Sequence, residues 1–405
     1  MLEQLLPKYN PWWERKFESP GIKRESYLRD LEKLVETRRH VLIYGLRRTG
    51  KTTIMKQFIA HKLKSIKSDH ILFLSIDHPA FKSCTIDQII DEYRKMFKLK
   101  RDERIYVLID EIQNREGFES ELKAIYDLEE NIFIIASGSN SLLIKHKSSA
   151  MIGRYGIMNV FPLSFKEFLE FRQISVKPSE QYLFDKYLEE YMEIGGLPEY
   201  VLSSDPQYVE EVVEDIIYKD IAIRYNIKDP LLLKDLFYLL CNRVGKKVTA
   251  SKLGRLLKLN HETIRNYISY FQETFLVDLV EKDGTPNERI YGPKKVYITD
   301  LGILNVIGGS IEKGAIAENL VYISLNKNNP KSGSIRYIDI NGKELDFLAQ
   351  KTIYEVKFKD NITIDNIKHL IKFNKKKIKN KIIIGKSNTN IEGIQVIKLV
   401  DFIKN

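Results

Sequence analysis

The stretch that decides the fold of the first third of the chain is "RRHVLIYGLRRTGKTTIMKQFI", residues 38–59. It predicts a short buried strand, a glycine-containing loop and a helix that begins near Lys51. The loop has the spacing G-x-x-x-x-G-K-T, in which glycines let backbone N–H groups surround phosphate oxygens at the start of a helix. The predicted ATP-binding residues are Gly45, Gly50, Lys51, Thr52 and Thr53.

A second motif, "RIYVLIDEIQ", follows at residues 104–113. Its apolar run predicts a buried parallel strand that ends in Asp110 and Glu111. In such a site Lys51 contacts the β- and γ-phosphates, the Thr52 hydroxyl binds Mg²⁺, and Asp110 holds Mg²⁺ through water. Glu111 orients or deprotonates the attacking water. The two motifs together predict Mg²⁺-dependent ATP hydrolysis with Lys51 and Glu111 as catalytic residues.

A third apolar run, "NIFIIASGSNS", ends in the polar residues Ser137, Ser139 and Asn140. If this run is a neighbouring strand, Asn140 is placed to contact the γ-phosphate and joins the predicted ATP-binding residues. The alternative is an ordinary turn, because serine, glycine and asparagine are common in loops.

The middle of the chain is predicted to be helical. Apolar residues recur at helical spacing from "PLSFKEFLEF" to "IAIRYNIKDP", which indicates a small bundle. Three further helices are predicted over residues 229–277, with Asp229-Pro230 starting the first and Thr249 capping the second. A short turn before the third gives a helix-turn-helix, and two strands around Asp283-Gly284 give a wing.

The exposed face of that third helix is a candidate DNA-binding surface. It carries His261, Arg265 and Asn266, whose side chains can contact base edges or phosphates. The alternative is protein docking by the same fold. Residues 351–405 hold 13 lysines against 5 acidic residues, which suits a polyanion such as DNA, although a solvated lysine-rich surface has the same composition.

The C-terminal third combines a helix with a predicted hairpin. Glu318 lies inside the apolar pattern of "EKGAIAENLVYISL", where a carboxylate is costly unless a cation meets it. Strands are then predicted over residues 335–340, 345–349 and 353–358, so that Asp346 and Glu355 come together. Lys357 points to the same face as Glu355, because alternate residues of a strand share a face.

Two carboxylates in one site need neutralisation, and a divalent cation both supplies it and activates bound water. Oxygen ligands favour Mg²⁺ or Mn²⁺, and Lys357 would orient the nucleophile or stabilise the phosphoryl transition state. The alternative is a hairpin whose charged residues face solvent.

The composition sets further limits. The chain has 405 residues, a formal charge of +10 and no run approaching the ~18 apolar residues of a membrane span. No targeting segment is evident, so we expect a cytoplasmic protein with no membrane partner. Cys84 and Cys241 are far apart in sequence, which indicates neither a disulfide framework nor a zinc site.

Nearly the whole chain resembles a family of AAA+-like P-loop ATPases of archaea and bacteria. The motifs that carry the resemblance are "NPWW", "GLRRTGKTT", "LIDEIQ", "ASGSNS", "GRYGIMNVFPLSFKEF", "EIGGLPEYV" and "KVYITDLG". The resemblance implies a multidomain α/β protein with four parts. These are a P-loop parallel-sheet ATPase core (1–160), a helical lid that moves with nucleotide state (161–226), a winged helix-turn-helix (227–298) and a restriction-endonuclease-like α/β domain (299–405).

The resemblance also implies roles for single residues. Arg154 in "IGRYG" would be a catalytic arginine that reaches a γ-phosphate, either in its own chain or in a neighbour within a homo-oligomer. A surface arginine is the alternative. The C-terminal third is similar to the PD-(D/E)XK nuclease superfamily, which adds Glu318 to Asp346 and Glu355 as metal ligands.

Two functional hypotheses follow. The first is a DNA-associated ATPase that couples ATP turnover to metal-dependent DNA cleavage. The second is a regulatory or scaffolding ATPase whose catalytically silent nuclease-like fold and winged helix bind protein partners.

Overall fold

The computed structural model describes residues 2–37, 39–129, 131–139, 153–329, 333–340, 342–374 and 378–404. The chain divides into two compact units, Met1–Phe161 and Pro162–Asn405. Among the helices within these ranges, none has the length and apolar character needed to cross a membrane.

The first unit is built on five parallel strands in the order β2-β3-β4-β1-β5. The strands are β1 His40–Tyr44, β2 Ile71–Ser75, β3 Ile105–Asp110, β4 Ile132–Gly138 and β5 Tyr155–Asn159. The helices are α1 Leu2–Tyr9, α2 Glu25–Glu36, α3 Lys51–Lys62, α4 Pro79–Lys82, α5 Ile86–Phe97 and α6 Phe118–Leu128, with 3₁₀ turns at Pro11–Trp13, Ser68–His70 and Ile112–Asn114. The central strands are continuous apolar runs because helices cover both faces of a parallel sheet.

The N-terminal segment covers the edge strand β2. The Asn10 amide donates to the Phe73 carbonyl oxygen at 3.0 Å, and both Trp12 and Trp13 donate from their indole nitrogens to the Ile71 carbonyl oxygen. Trp12 is buried in the core of this unit. The "NPWW" motif thus satisfies backbone acceptors that an edge strand otherwise leaves open.

The second unit contains helices followed by a nine-stranded sheet in the order β13-β14-β12-β11-β10-β9-β7-β8-β6. The strands are β6 Lys247–Val248, β7 Val277–Lys282, β8 Lys294–Ile298, β9 Ile335–Ile340, β10 Lys343–Ala349, β11 Thr352–Val356, β12 Asn380–Gly385, β13 Thr389–Ile391 and β14 Ile394–Lys398.

The α-helices of the second unit are named in chain order. They are α7 Phe165–Phe171, α8 Leu183–Ile194, α9 Pro198–Ser203, α10 Pro206–Asp215, α11 Pro230–Cys241, α12 Ala250–Leu257, α13 His261–Glu273, α14 Pro286–Tyr291, α15 Leu301–Gly308, α16 Lys313–Asn328, α17 Ile364–Lys372 and α18 Leu399–Lys404. A π-helix over Ile216–Ala222 continues α10, and a 3₁₀ turn spans Pro178–Glu180.

The sheet of the second unit continues across the predicted boundary at residue 298. Strand β7 pairs with β8 on one side and, in parallel, with β9 on the other, where Glu281 lies opposite Arg336. The segment predicted as a winged helix and the segment predicted as nuclease-like therefore share one sheet.

Most predicted elements of the second unit are confirmed. The Asp229 side chain caps α11, Thr249 caps α12, and Lys258 has a left-handed φ of +54° in the turn before α13. The three strands of the hairpin region are also found. The tight turn predicted at Asp283-Gly284 is wrong, because a capping box starts the short helix α14 between β7 and β8.

Candidate functional site

The loop after β1 has the backbone that its glycines allow. Gly45 has a φ of +149°, and a Cβ atom added there would lie 2.2 Å from the Val160 carbonyl oxygen. Gly50 has a φ of +90° and immediately precedes α3. Residues with side chains rarely adopt these conformations, so the loop requires glycine at both positions. Thr53 follows in the first turn of α3.

Lys51 is buried against its own loop. Its Nζ atom donates to the carbonyl oxygens of Gly45 and Leu46, both at 2.9 Å. From the neighbouring α2 region, the buried Arg24 guanidinium donates to the Thr49 carbonyl oxygen at 3.0 Å. Sequence reasoning missed Arg24, since a single arginine outside a motif carries no signal. Its contact helps to fix the loop.

Asp110 lies where β1, β3 and β4 end. The Thr52 hydroxyl donates to its Oδ2 atom at 2.7 Å, and the Ser137 hydroxyl donates to its Oδ1 atom. These hydroxyls carry no charge. The hydroxyl of Thr52 and the carboxylate of Asp110 are both hard oxygen ligands and lie next to each other. This pair of ligands fits Mg²⁺.

Glu111 follows Asp110 in a left-handed conformation, with a φ of +54°. Burial raises the pKa of its carboxyl, and the charge of Lys51 partly opposes this rise. The Gln113 amide donates to the Glu111 carboxylate and to the Ser139 hydroxyl. A raised pKa and a fixed orientation suit a general base that accepts a proton from water.

Asn140 lies outside the described residues. Arg154 lies at the amino ends of β1 and β5, because the His40 N–H donates to its carbonyl oxygen and its guanidinium pairs with Asp127 at 2.9 Å. The phosphate-binding loop follows the opposite, carboxyl end of β1. Contact between Arg154 and a γ-phosphate in the same chain does not fit this position. A role in a neighbouring chain stays a prediction.

The candidate DNA-binding residues share one face of α13. His261, Arg265 and Asn266 are exposed, whereas Ile264 and Ile268 are buried on the opposite side. The helix thus presents the predicted polar face to solvent. Its role in binding DNA stays a prediction.

The predicted hairpin brings Asp346 and Glu355 together. The Asp346 N–H donates to Glu355 Oε2 at 3.3 Å, and the Val356 N–H donates to Asp346 Oδ2 at 2.9 Å. Lys357 Nζ lies 2.6 Å from Glu355 Oε1, and His369 Nε2 lies 3.1 Å from the same oxygen. The three residues of the predicted motif therefore form one contact network.

Glu318 meets the cation that its position in the sequence requires. Lys295 Nζ lies 2.7 Å from Glu318 Oε1, and the Tyr297 hydroxyl donates to the same oxygen at 2.7 Å. Burial and the nearby Asp346 carboxylate raise the pKa of Glu318 above its ordinary value, and Lys295 partly opposes the rise. Sequence reasoning missed Lys295. One feature of the sequence could have indicated this lysine. Lys295 lies in an apolar strand two residues before Tyr297, so the two side chains are on the same face of the strand.

The contacts of Lys295 also affect whether the carboxylates are available to bind a metal ion. Glu318 and Asp346 both contact Lys295, while Glu355 contacts Lys357. Within the described ranges, no group of three or more His, Cys, Asp or Glu side chains is arranged to hold a metal ion. Each predicted ligand thus has a lysine as its partner, and its role in holding Mg²⁺ or Mn²⁺ stays a prediction.

The phosphate-binding loop after β1 and the acidic pair at the carboxyl end of β3 define a P-loop ATPase domain. In agreement, a family model described as an AAA domain matches residues 37–169. Two models for domains of unknown function, DUF8612 and DUF4143, match residues 185–312 and 313–402.

Related proteins match over most of the chain. An uncharacterized protein of Haemophilus influenzae is 30% identical over 407 residues, which cover 94% of this chain and 98% of that protein. The chain belongs to the same family as this protein. The uncharacterized protein MJ1544 of Methanocaldococcus jannaschii is 29% identical over 79% of this chain and 74% of its own length.

Solved structures show more distant similarity. The Walker-type ATPase PABY2304 of Pyrococcus abyssi has 17% sequence identity and a TM-score of 0.45, over 72% of this chain and 97% of that one. The Aeropyrum pernix ORC1 protein, solved in complex with DNA, has 15% identity and a TM-score of 0.37, over 72% of this chain and 93% of that one.

Proposed function

We propose that this protein is a Mg²⁺-dependent ATPase whose nucleotide cycle is coupled to association with DNA. The observation that carries the ATPase part is the meeting of Thr52 and Asp110 beside the loop that holds Lys51. Mg²⁺, when bound by Thr52 and Asp110, neutralises phosphate charge. Lys51 exchanges its carbonyl partners for phosphate oxygens, and Glu111 accepts the proton of the attacking water.

DNA association is supported by the exposed polar face of α13 and by the excess of lysine in residues 351–405. An arginine on such a helix can pair with phosphate or with guanine. Winged helices also dock proteins, so the same face supports the regulatory alternative, in which a protein partner replaces DNA.

The DNA hypothesis is tested by the affinity of the full chain for labelled duplex and single-stranded DNA at several salt concentrations. We expect Arg265→Ala to weaken binding and, if Arg265 contacts phosphate, to lower the salt slope by about 1. Glu262→Ala, on the same exposed face, is the matched control and should not weaken binding. Absence of binding at low salt would reject DNA association and favour protein docking.

Metal-dependent DNA cleavage is the second candidate function, and the contact network of Asp346, Glu355 and Lys357 favours it. The contacts of Lys295 with Glu318 and Asp346 favour the silent alternative. The test compares wild type with Asp346→Ala on plasmid and single-stranded DNA, with Mg²⁺ or Mn²⁺ and with or without ATP. Cleavage lost in the variant supports catalysis here. Equal cleavage by both proteins points to another site or a contaminant.

We assign Arg154 a role in a neighbouring chain. It lies at the amino ends of the strands, whereas the nucleotide-binding loop of its own chain follows the carboxyl end of β1. Mixing Arg154→Ala with Glu111→Gln tests this. One variant retains the base and the other retains the arginine, so a homo-oligomer should regain ATP turnover that neither has alone. No recovery in a mixed oligomer would reject the role in trans.

A further inference from the structure

Lys295 is the most completely enclosed charged group among the buried residues of the second unit, with no exposed surface. Its Nζ atom lies 2.7 Å from Glu318 Oε1, 2.8 Å from Glu344 Oε1 and 3.3 Å from Asp346 Oδ1. We name these four side chains the Lys295 cluster. An ammonium group has three N–H donors, and three carboxylates face it. The aromatic rings of Tyr297 and Phe347 lie within 5.9 Å and 5.8 Å of the same nitrogen.

The groups around Lys295 are carboxylate oxygens, the kind of ligand that a hard divalent cation prefers. Glu318 and Asp346 are two of the predicted ligands, and they come from α16 and β10. A divalent ion binds oxygen ligands at about 2.0–2.6 Å. An ion bound to all three of these oxygens would lie roughly 4 Å or less from the ammonium nitrogen, because the nitrogen contacts the same three oxygens. Lysine and metal therefore compete for the same place.

We propose that the ammonium group of Lys295 occupies the position that a divalent metal ion would take in the Lys295 cluster. The three carboxylates therefore bind such an ion only when this lysine is replaced by mutation or moves away from them. The lysine comes from β8, whose neighbours are β6 and β7, whereas its partners come from α16 and β10. The counter-charge and the carboxylates thus belong to different elements. The inference concerns the site of the second candidate function and rests on it only for the choice of metal.

Manganese titration of the full-length chain tests this proposal. Free Mn²⁺ is followed by electron paramagnetic resonance without nucleotide. Every protein carries Asp110→Asn, which removes a predicted ligand at the phosphate-binding loop. We expect Lys295→Met to gain one Mn²⁺ site with an affinity at least about 30-fold above that of the parent, since the repulsion between a single positive charge and a doubly charged ion about 4 Å away has this effect even in water.

Three further variants make the result specific. Lys295→Arg keeps the positive charge and should show no gain. Adding Asp346→Asn to Lys295→Met should abolish the gain. Lys295→Gln removes the charge but keeps hydrogen-bond donors, and it replaces the methionine variant if thermal unfolding shows that the latter does not fold.

Two results would overturn the proposal. One is a folded, charge-neutral variant that gains no Mn²⁺ site. The other is a parent protein that already binds one Mn²⁺ with the same affinity and loses it on Asp346→Asn. DNA cleavage is scored separately. A Lys295→Met protein that binds Mn²⁺ but leaves DNA intact supports the proposal that Lys295 occupies the metal position. The same result rejects metal-dependent DNA cleavage as a function of this site.

Discussion

Two acidic sites in this molecule differ in what faces their carboxylates. Asp110 in the first unit accepts hydrogen bonds from the hydroxyls of Thr52 and Ser137, which bring no positive charge. Glu318 and Asp346 in the second unit instead contact the ammonium group of Lys295. The charge of the groups that contact the carboxylates, and not only the number of carboxylates, therefore bears on whether a site suits a metal ion.

Each site also has a lysine, and the two lysines are held differently. Lys51 is turned toward the carbonyl oxygens of Gly45 and Leu46, which are neutral partners that it can exchange for phosphate oxygens. Lys295 is surrounded by carboxylates and aromatic rings. The first arrangement suits a lysine that meets a ligand. The second suits a lysine that stays in place.

The largest expected effect distinguishes the chemistry of the two sites. Glu111→Gln should lower ATP turnover by roughly 100- to 1,000-fold, because the amide cannot accept the proton of the attacking water. The measurement is phosphate release under saturating Mg²⁺ and ATP. Nucleotide binding, followed with a fluorescent ATP analogue, should persist.

The matched control is Glu355→Gln, which makes the same chemical change at the acidic site of the second unit. It should leave basal ATP turnover unchanged, provided that the variant folds. Normal turnover by Glu111→Gln would reject the assigned base. A large loss in a folded Glu355→Gln variant would show that the two sites are not independent in ATP hydrolysis.

The two sites also differ in how far the sequence predicts them. The phosphate-binding loop is contained in residues 45–53, so local spacing specifies both its backbone and its side chains. The meeting of Asp346 and Glu355 is local too, because a hairpin joins them. Lys295 and Glu318 are 23 residues apart on different elements. The sequence indicated that Glu318 needs a cation, but only tertiary packing identifies which one.

A second contrast concerns buried titratable groups outside both sites, and it predicts opposite responses to pH. Burial lowers the pKa of His40 in the first unit to about 4, and its Nδ1 atom accepts the Ile134 N–H. Its neutral form is favoured in the folded chain. The contribution of His40 to the free energy of unfolding is fully present above its ordinary pKa of 6.5. This contribution is lost as pH falls through about 4.

That loss should amount to at most about 3 kcal/mol. Both tryptophans of the chain lie in the first unit, so their fluorescence during urea unfolding at pH 4 to 8 reports this unit. In His40→Gln, which keeps an acceptor for the Ile134 N–H, the decline below pH 6.5 should disappear. An unchanged pH profile in this variant would assign the dependence to other groups.

Asp300 in the second unit should respond in the opposite direction. Burial raises its pKa to about 6, even though its carboxylate accepts the backbone N–H groups of Gly196 and Ile303. Its protonated form is favoured in the folded chain, so its contribution is present below 3.8 and is lost as pH rises through about 6. The expected loss is about 3 kcal/mol. The free energy of unfolding is measured by far-ultraviolet circular dichroism at several pH values. In Asp300→Asn its dependence on pH between 3.8 and about 6 should be weaker, and an equally steep dependence would contradict the assignment.

The smallest expected effect returns to metal binding at the two acidic sites. Mg²⁺ with a non-hydrolysable ATP analogue, at an analogue concentration near 10 times its dissociation constant, should stabilise the first unit by about 1.4 kcal/mol. Tryptophan fluorescence again measures its unfolding. Asp110→Asn should remove the Mg²⁺-dependent part of this gain, whereas Asp346→Asn should retain it. Addition of a chelator without nucleotide should leave the second unit's unfolding unchanged, because Lys295 already supplies a positive charge to the carboxylates there. Marked destabilisation of the second unit by the chelator would show that a metal ion, rather than this lysine, neutralises the cluster.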